Sequence, residues 1–239
     1  MLGYPDLPTS IQVIQLMLET GVDAVEIGIP FTDPLADGVV IQAAAQKALE
    51  SGVSLTQCLE AVRQLRVGDQ ATPFLMMGYL NPFMAYGLER LTQDAAHAGV
   101  DGFIIPDLPP DEASEMLRHT RTHQLALIEL LAPTSNVERI RLVASTARGF
   151  IYLVSVTGVT GARTDLPIDL SDYIQRVRAE TKLPLAVGFG VSNAQHAAQV
   201  SQHADGVIVA SALIREYNQN GLEGLQALLK SLKNACKVQ

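Results

Sequence analysis

The sequence predicts an α/β chain folded as a (β/α)8 TIM barrel with its first strand truncated at the N-terminus. Three observations predict it. Short, continuously apolar runs alternate with helical sequence, the pattern of parallel strands covered on both faces. Seven such strand–helix units, plus a fragment at residues 1–3, fit into 239 residues, which is close to the eight units of a closed barrel. One phrase also recurs: TGVDAVEI (20–27), AGVDGFII (98–105) and HADGVIVA (203–210) each set Gly or Ala, then Asp, then an apolar run. An open doubly wound sheet would carry a glycine-rich dinucleotide turn after its first strand, and GYPDLP at 3–8 supplies none.

In chain order, residues 1–3 read as the end of a strand followed by a turn. Thr9 or Ser10 could cap a helix over 11–20, closed by Gly21, and a buried strand spans 23–28. Helices follow at 38–50 and, with Ser54 as cap, 54–66. Residues 73–78 form a strand and 84–98 a helix ended by Gly99. Then come a strand at 100–105, a helix at 111–122, a strand at 125–130 and a helix capped by Asn136 running to 147. Residues 150–154 are a strand, and 155–166 form a long Gly- and Thr-rich loop with the look of a lid. A helix at 170–180, a strand at 185–187, a helix at 192–202, a strand at 206–209 and a closing helix complete the chain.

Composition limits the function. Hydrophobic residues make up 48%, enough to build one sizeable core, and a single barrel domain over 1–239 is the simplest organisation. A formal charge of -8 argues against nucleic acid as a partner. No apolar run reaches membrane-spanning length and no signal peptide opens the chain. Cys58 and Cys236 match no ligand spacing, so a reduced, cytoplasmic protein is expected.

In a barrel the chemistry lies where strands run into the loops that follow. Glu26 lies inside an otherwise apolar strand, where a carboxylate is costly unless paired or used. Val25 and Ile27 should face the helices and Glu26 the barrel interior. There its pKa should rise, which suits a proton shuttle near neutral pH; a structural carboxylate is the alternative. Asp37 is either a second catalytic carboxylate or a helix cap, and Asp33 a turn former or a loop-positioning group. Tyr79 and Asn81, Asp107, Glu129, Tyr152 and Ser155 also fall at strand ends. The five histidines lie in or beside helices, so no metal site is expected. Gly158 and Gly161, then Gly188 and Gly190, then Ala210 and Ser211 follow three successive strands. Glycines let backbone N–H groups approach an anion, and a helix opening at Ser211 favours phosphate at its N-terminus. A phosphorylated small molecule, held at one end and worked on by Glu26 at the other, is the expected substrate.

EIGIPFTDPLADGVVIQ (26–42), GYLNP (78–82), VTGVTG (156–161), GFGVS (188–192) and ASALI (210–214) together resemble the alpha subunit of tryptophan synthase, over nearly the whole chain. The first motif is the most specific. The resemblance implies a barrel that splits indole-3-glycerol phosphate into indole and glyceraldehyde 3-phosphate by a retro-aldol step, with no cofactor of its own. It implies catalytic roles for Glu26 and Asp37, a lid threonine at Thr160, and substrate contacts from Tyr79, Tyr152 and Phe189. Gly161, Gly188, Gly190, Ala210 and Ser211 match the phosphate site. It further implies a pyridoxal-phosphate beta subunit as partner in an alpha2-beta2 complex, with Asp33 and residues 78–85 on the docking side.

The sequence departs from the family at three places. Ala210 stands where the family has glycine, and its N–H still serves if φ is negative. Phe150 replaces a common tyrosine. The family's leading helix and complete first strand are reduced here to residues 1–3, which would expose the edges of the strands at 23–28 and 206–209. Two other functions therefore stand beside the first. Another phosphate-binding barrel enzyme is one, although all five lysines fall in helical or helix-end sequence and none marks a catalytic strand end. The other is a non-catalytic or activating partner of a beta subunit.

Overall fold

The structure, a computed structural model, describes residues 1–155, 170–188 and 190–236. The chain divides into two compact units, Met1–Ala36 with Ile41–Leu127, and Asp37–Val40 with Ile128–Gln239.

The first unit is built from α1 (Leu7–Thr20), β1 (Val25–Gly28), most of α2 (Val39–Glu50), α3 (Leu55–Gly68), β2 (Phe74–Met77), α4 (Leu80–Tyr86), α5 (Leu88–Ala98), β3 (Gly102–Ile104), α6 (Ser114–Thr122) and β4 (Ala126–Ile128). Its strands pair in the order β1-β2-β3-β4, and β1 with β2 and β2 with β3 run parallel. Period-2 alternation sorts the side chains. Val25, Ile27, Phe74, Met76 and Phe103 share a core with Leu59, Val62, Leu91 and Ala95 of the covering helices, while Glu26, paired in register with Leu75, falls on the opposite face.

The second unit holds β5 (Leu130–Leu131), α7 (Val137–Thr146), β6 (Ile151–Val154), α8 (Leu170–Arg178), β7 (Leu185–Gly188), α9 (Ala194–Ser201), β8 (Gly206–Val207) and α10 (Ser211–Ala235). Its sheet runs β5-β6-β7-β8, all parallel. Ile151, Leu153, Leu185 and Val187 pack with Ile140, Val143, Ile174, Val177 and Val200 from the helices.

Several boundaries differ from the sequence expectation for identifiable reasons. The first helix starts at Leu7, because Asp6 rather than Thr9 or Ser10 is its cap and accepts from the Thr9 N–H at 2.8 Å. Ser10 instead accepts from the Gly3 N–H and donates to the Leu7 carbonyl. The stretch at 84–98 is two helices broken at Gly87. The strand at 125–130 is interrupted at Glu129. Its buried carboxylate accepts from Thr146 Oγ1 of α7 at 2.6 Å, and its carbonyl accepts from the Tyr152 N–H. The last helix bends at Gly221 (φ 64°, ψ -156°). Ser54 and Asn136 cap as expected, Ser54 in a full capping box with Gln57.

Residues 1–3 form no strand. The Leu2 N–H donates to the Gly28 carbonyl at 3.0 Å, and the Leu2 side chain, 2% exposed, joins the first core. Met1 also packs against that core, and a Cβ built on Gly28 of β1 would meet Met1 at 3.3 Å.

In two of the three copies of the recurring phrase, the aspartates Asp101 and Asp205 share a structural role. Asp101 Oδ2 accepts from the Phe74 N–H at 2.7 Å and pairs with Arg66. Asp205 Oδ2 accepts from the Leu185 N–H at 2.8 Å and pairs with Arg178. In both, an aspartate preceding one strand holds the first N–H of its neighbour and an arginine from the end of a helix. These carboxylates sit at strand starts, the end of a barrel that serves stability rather than chemistry.

Candidate active site

In the first unit the site begins with Glu26. The side chain keeps a sliver of surface at the sheet face yet is crowded enough that desolvation pushes its pKa up to about 8. No hydrogen bond or ion pair offsets that cost among the described residues, so the carboxyl is neutral at neutral pH. Beside it, β1 and β2 pair through Gly28 and Met77, and the Ile29 N–H donates to the Met77 carbonyl. The loops that follow these two strands therefore leave the sheet together.

Tyr79, 6% exposed, opens α4 and ties those loops. Its hydroxyl accepts from the Ala36 N–H at 2.9 Å, and its ring lies 5.4 Å from that of Phe31. This gives Tyr79 a loop-holding contact in addition to its expected place at the substrate. The Leu80 N–H donates to the Asp107 carboxylate at 2.9 Å, so Asp107 caps α4. Asp33 is exposed, its carboxylate bonded to the Thr32 hydroxyl and its carbonyl accepting from the Leu35 N–H, as a turn former would be.

Asp37 belongs to the second unit and is partly exposed. Helix α2 starts at Val39, so Gly38 is the residue before the helix and Asp37 falls one position short of the capping place.

The described residues expected at an anion site, Gly188, Gly190, Ala210 and Ser211, belong to the second unit. Strands β7 and β8 pair through Val187 and Val207, and the Ile208 N–H donates to the Val187 carbonyl at 2.8 Å. The segments leading to Gly190 and to Ser211 thus leave the sheet side by side. Gly188 is buried against Tyr152 of β6, and an added Cβ would stand 2.1 Å from the phenol oxygen and 2.5 Å from the ring. Its lack of a side chain makes room for that ring, a packing reason that sequence reading did not find. Gly190 has φ +85°, a conformation few other residues adopt. Ala210 stands at the N-cap of α10 with φ -129° and no side-chain cap. The first-turn N–H groups, beginning at Ser211, are thus left without a side-chain acceptor there. Thr160, Gly161 and Phe189 lie outside the described residues, as do Gly158 and the rest of the expected lid at 156–166.

The arrangement offers two things: a neutral, desolvated carboxyl on one sheet, and uncapped backbone donors at the ends of paired strands on another. The family model described as Tryptophan synthase alpha chain matches residues 1–239. The chain belongs to the tryptophan synthase alpha chain family. The alpha chain of Roseiflexus sp. (strain RS-1) is 49% identical over 219 residues, 92% of this chain and 84% of that protein. The alpha chain of Dehalococcoides mccartyi is 47% identical over 234 residues, 98% of this chain and 91% of that protein. Among solved structures, a chain of Mycobacterium tuberculosis tryptophan synthase superposes with a TM-score of 0.92 at 38% identity, covering 100% of this chain and 90% of that one. A chain from Aquifex aeolicus VF5 gives 0.92 at 40%, covering 98% and 90%. As a member of that family, the chain has the (β/α)8 barrel fold and is a carbon–carbon lyase of tryptophan biosynthesis, cleaving indole-3-glycerol phosphate.

Sequence reading missed His196. It is buried at 6% exposure, with Nδ1 3.2 Å from the Gly190 carbonyl oxygen and 3.4 Å from Ser192 Oγ. Its position three residues after the capping Asn193, just beyond the GFG turn, was the available signal.

Proposed function

We propose that Glu26 and Asp37 carry the cleavage and that the segments at Gly188, Gly190, Ala210 and Ser211 hold the phosphate of indole-3-glycerol phosphate. The observation that carries the first part is the half-buried, unpartnered Glu26 carboxyl with its pKa pushed up to about 8. Neutral Glu26 gives its proton to indole C3, and Asp37 stabilises the positive charge that develops at the indole N–H. The Glu26 carboxylate then takes the proton of the hydroxyl on the carbon bonded to C3. That carbon–carbon bond breaks, its electrons return to the ring, and the oxygen becomes the aldehyde of glyceraldehyde 3-phosphate. Glu26 ends protonated, as it began, so one carboxyl serves as acid and then base within a single turnover.

Phosphate binding by backbone donors fits the rest: Gly190 at positive φ, and a helix N-terminus at Ser211 whose dipole favours anions. Tyr79, Tyr152, Thr160, Phe189 and Gly161 complete the contacts to substrate and phosphate in this reading. One barrel domain runs the length of the chain. The partner is the pyridoxal-phosphate beta subunit in an alpha2-beta2 complex, and the reaction in this subunit needs no cofactor. The compartment is the cytoplasm, in keeping with the unpaired cysteines Cys58 and Cys236. Among the described residues no helix is long and apolar enough to cross a membrane.

The test is indole release from indole-3-glycerol phosphate by the purified protein, with and without the beta subunit. Indole in either case, abolished by Glu26→Gln with phosphate binding retained, is the expected result. Near wild-type turnover by Glu26→Gln would remove Glu26 as the shuttle.

A further inference from the structure

We infer that His196 is a positioning residue that fixes the phosphate-binding turn at Gly190; this rests on the phosphate site proposed above. A carbonyl oxygen can only accept, so in this inference Nδ1 carries the proton and donates to the Gly190 oxygen at 3.2 Å, and Ser192 Oγ, 3.4 Å from the same nitrogen, can only be a second acceptor. The histidine is itself held. It lies in the first turn of α9, and its backbone N–H donates to the Asn193 side chain at 2.9 Å. Gly190 needs such a hold, because it is exposed, sits at φ +85°, and among the described residues has only Ser155 Oγ near the place where a Cβ would be, at 3.7 Å. A glycine so placed has wide rotational freedom of its own.

Holding this carbonyl has a consequence for the next residue. In a planar trans peptide the C=O and N–H point in opposite directions. With the Gly190 oxygen turned toward α9, the Val191 N–H is turned away from it. Val191 is 5% exposed, and its N–H has no hydrogen-bond acceptor among the described residues. A backbone donor without an acceptor is available to an anion, and a phosphate oxygen at the turn would satisfy it. His196 acts in this inference through the Gly190 peptide. It keeps one peptide from flipping and presents one donor to the anion.

Steady-state cleavage of indole-3-glycerol phosphate, with inorganic phosphate as competitive inhibitor, tests this on three variants of the full chain. His196→Leu should raise both KM and the phosphate inhibition constant about five- to tenfold, the loss of one hydrogen bond, with kcat within about twofold. His196→Asn, whose amide nitrogen lies where Nδ1 was, should restore both constants. Equal effects of Leu and Asn, or no effect of Leu, would overturn the inference. Ser211→Asp separates the two levels: weakened phosphate inhibition there with none in His196→Leu refutes the histidine's role alone, and no change in either refutes the phosphate site with it. Nitrogen-15 NMR of the unmutated protein is independent of variant folding. Neutral His196 should carry its proton on Nδ1, and added phosphate should shift the Val191 amide proton downfield. A proton on Nε2, or a Val191 amide that phosphate at inhibitory concentration leaves unmoved, counts against it.

Discussion

In the function proposed above, Glu26 and the Gly190–Ser211 region serve proton transfer and anion binding by opposite means. At Glu26 the proposed proton transfer rests on a side chain whose property comes from burial: desolvation pushes the carboxyl up to about 8, with no hydrogen bond or ion pair to it among the described residues. In the second unit side chains are withdrawn. Gly188 leaves room for Tyr152, Gly190 takes a left-handed conformation, and α10 opens without a side-chain cap. A proton shuttle needs one group poised between two charge states. A phosphate dianion needs several fixed donors, which backbone supplies without titrating. In this proposal proton transfer depends on the identity of Glu26, and anion binding on several residues' smallness and backbone conformation.

That contrast can be broken or sharpened by experiment. The largest effect is expected from Glu26→Gln, which removes the proton carrier while keeping the shape. Indole release should fall by about 10²- to 10⁴-fold, the usual worth of a general acid–base, while inhibition by inorganic phosphate stays as in wild type. The next effect is on stability. Glu26 has a folded pKa raised from 4.5 to about 8, so between those values the folded state binds a proton that the unfolded state has lost. Its favourable contribution is intact below pH 4.5 and is lost as pH rises toward 8. Relative to wild type, Glu26→Gln should thus gain stability from pH 5 to pH 9. The gain should be on the order of 2 kcal/mol, discounted from about 1.36 kcal/mol per unit because Glu26 keeps some access to water. Parallel urea curves at the two pH values measure it, and a constant difference between the proteins would refute the buried neutral carboxyl.

Smaller changes are expected at the anion end. Ser211→Asp places a negative charge where the phosphate should lie and should weaken binding by at least about tenfold, read as the phosphate inhibition constant; kcat at saturating substrate should move little. The smallest effect compares the two aspartate–arginine clamps. Arg66 is 13% exposed, donates to the Gly99 and Thr72 carbonyls, and stacks on Phe74 with its guanidinium 4.1 Å from the ring centre. Arg178 is 38% exposed and donates to one carbonyl, that of Leu183. Truncating Arg66 to Ala should cost about 2 kcal/mol and Arg178 to Ala about 1 kcal/mol. Equal losses in denaturant titrations would mean that burial and stacking add nothing to the first clamp.

Much of this was legible in the sequence. The seven apolar runs are strands, because a buried parallel strand needs apolar residues on both faces. Two of the three copies of the Gly-or-Ala, then Asp, phrase are matching clamps, at Asp101 and Asp205, visible because the same backbone problem at a strand start took the same solution twice. Glu26 stood out because a carboxylate in such a run needs a reason. What stayed hidden depended on long-range contacts. Nothing local in Gly188 announces the Tyr152 ring 36 positions earlier. The break at Glu129 reflects Thr146 on the following helix. Asp6 took the cap from Thr9 and Ser10, since several polar residues at a helix start compete and the one that wins depends on where the chain enters. His196 looked like any helical histidine until its ring was placed against the Gly190 carbonyl.

The contact between Tyr152 and Gly188 also bears on how the family diverges. A side chain at 188 has no space while a tyrosine fills 152, and the phenol fits only while 188 is bare. Neither position is free to drift alone. Across descendants of this chain the two should change as a pair or not at all, and a lineage that shrank residue 152 first would be the one able to accept alanine at 188 later.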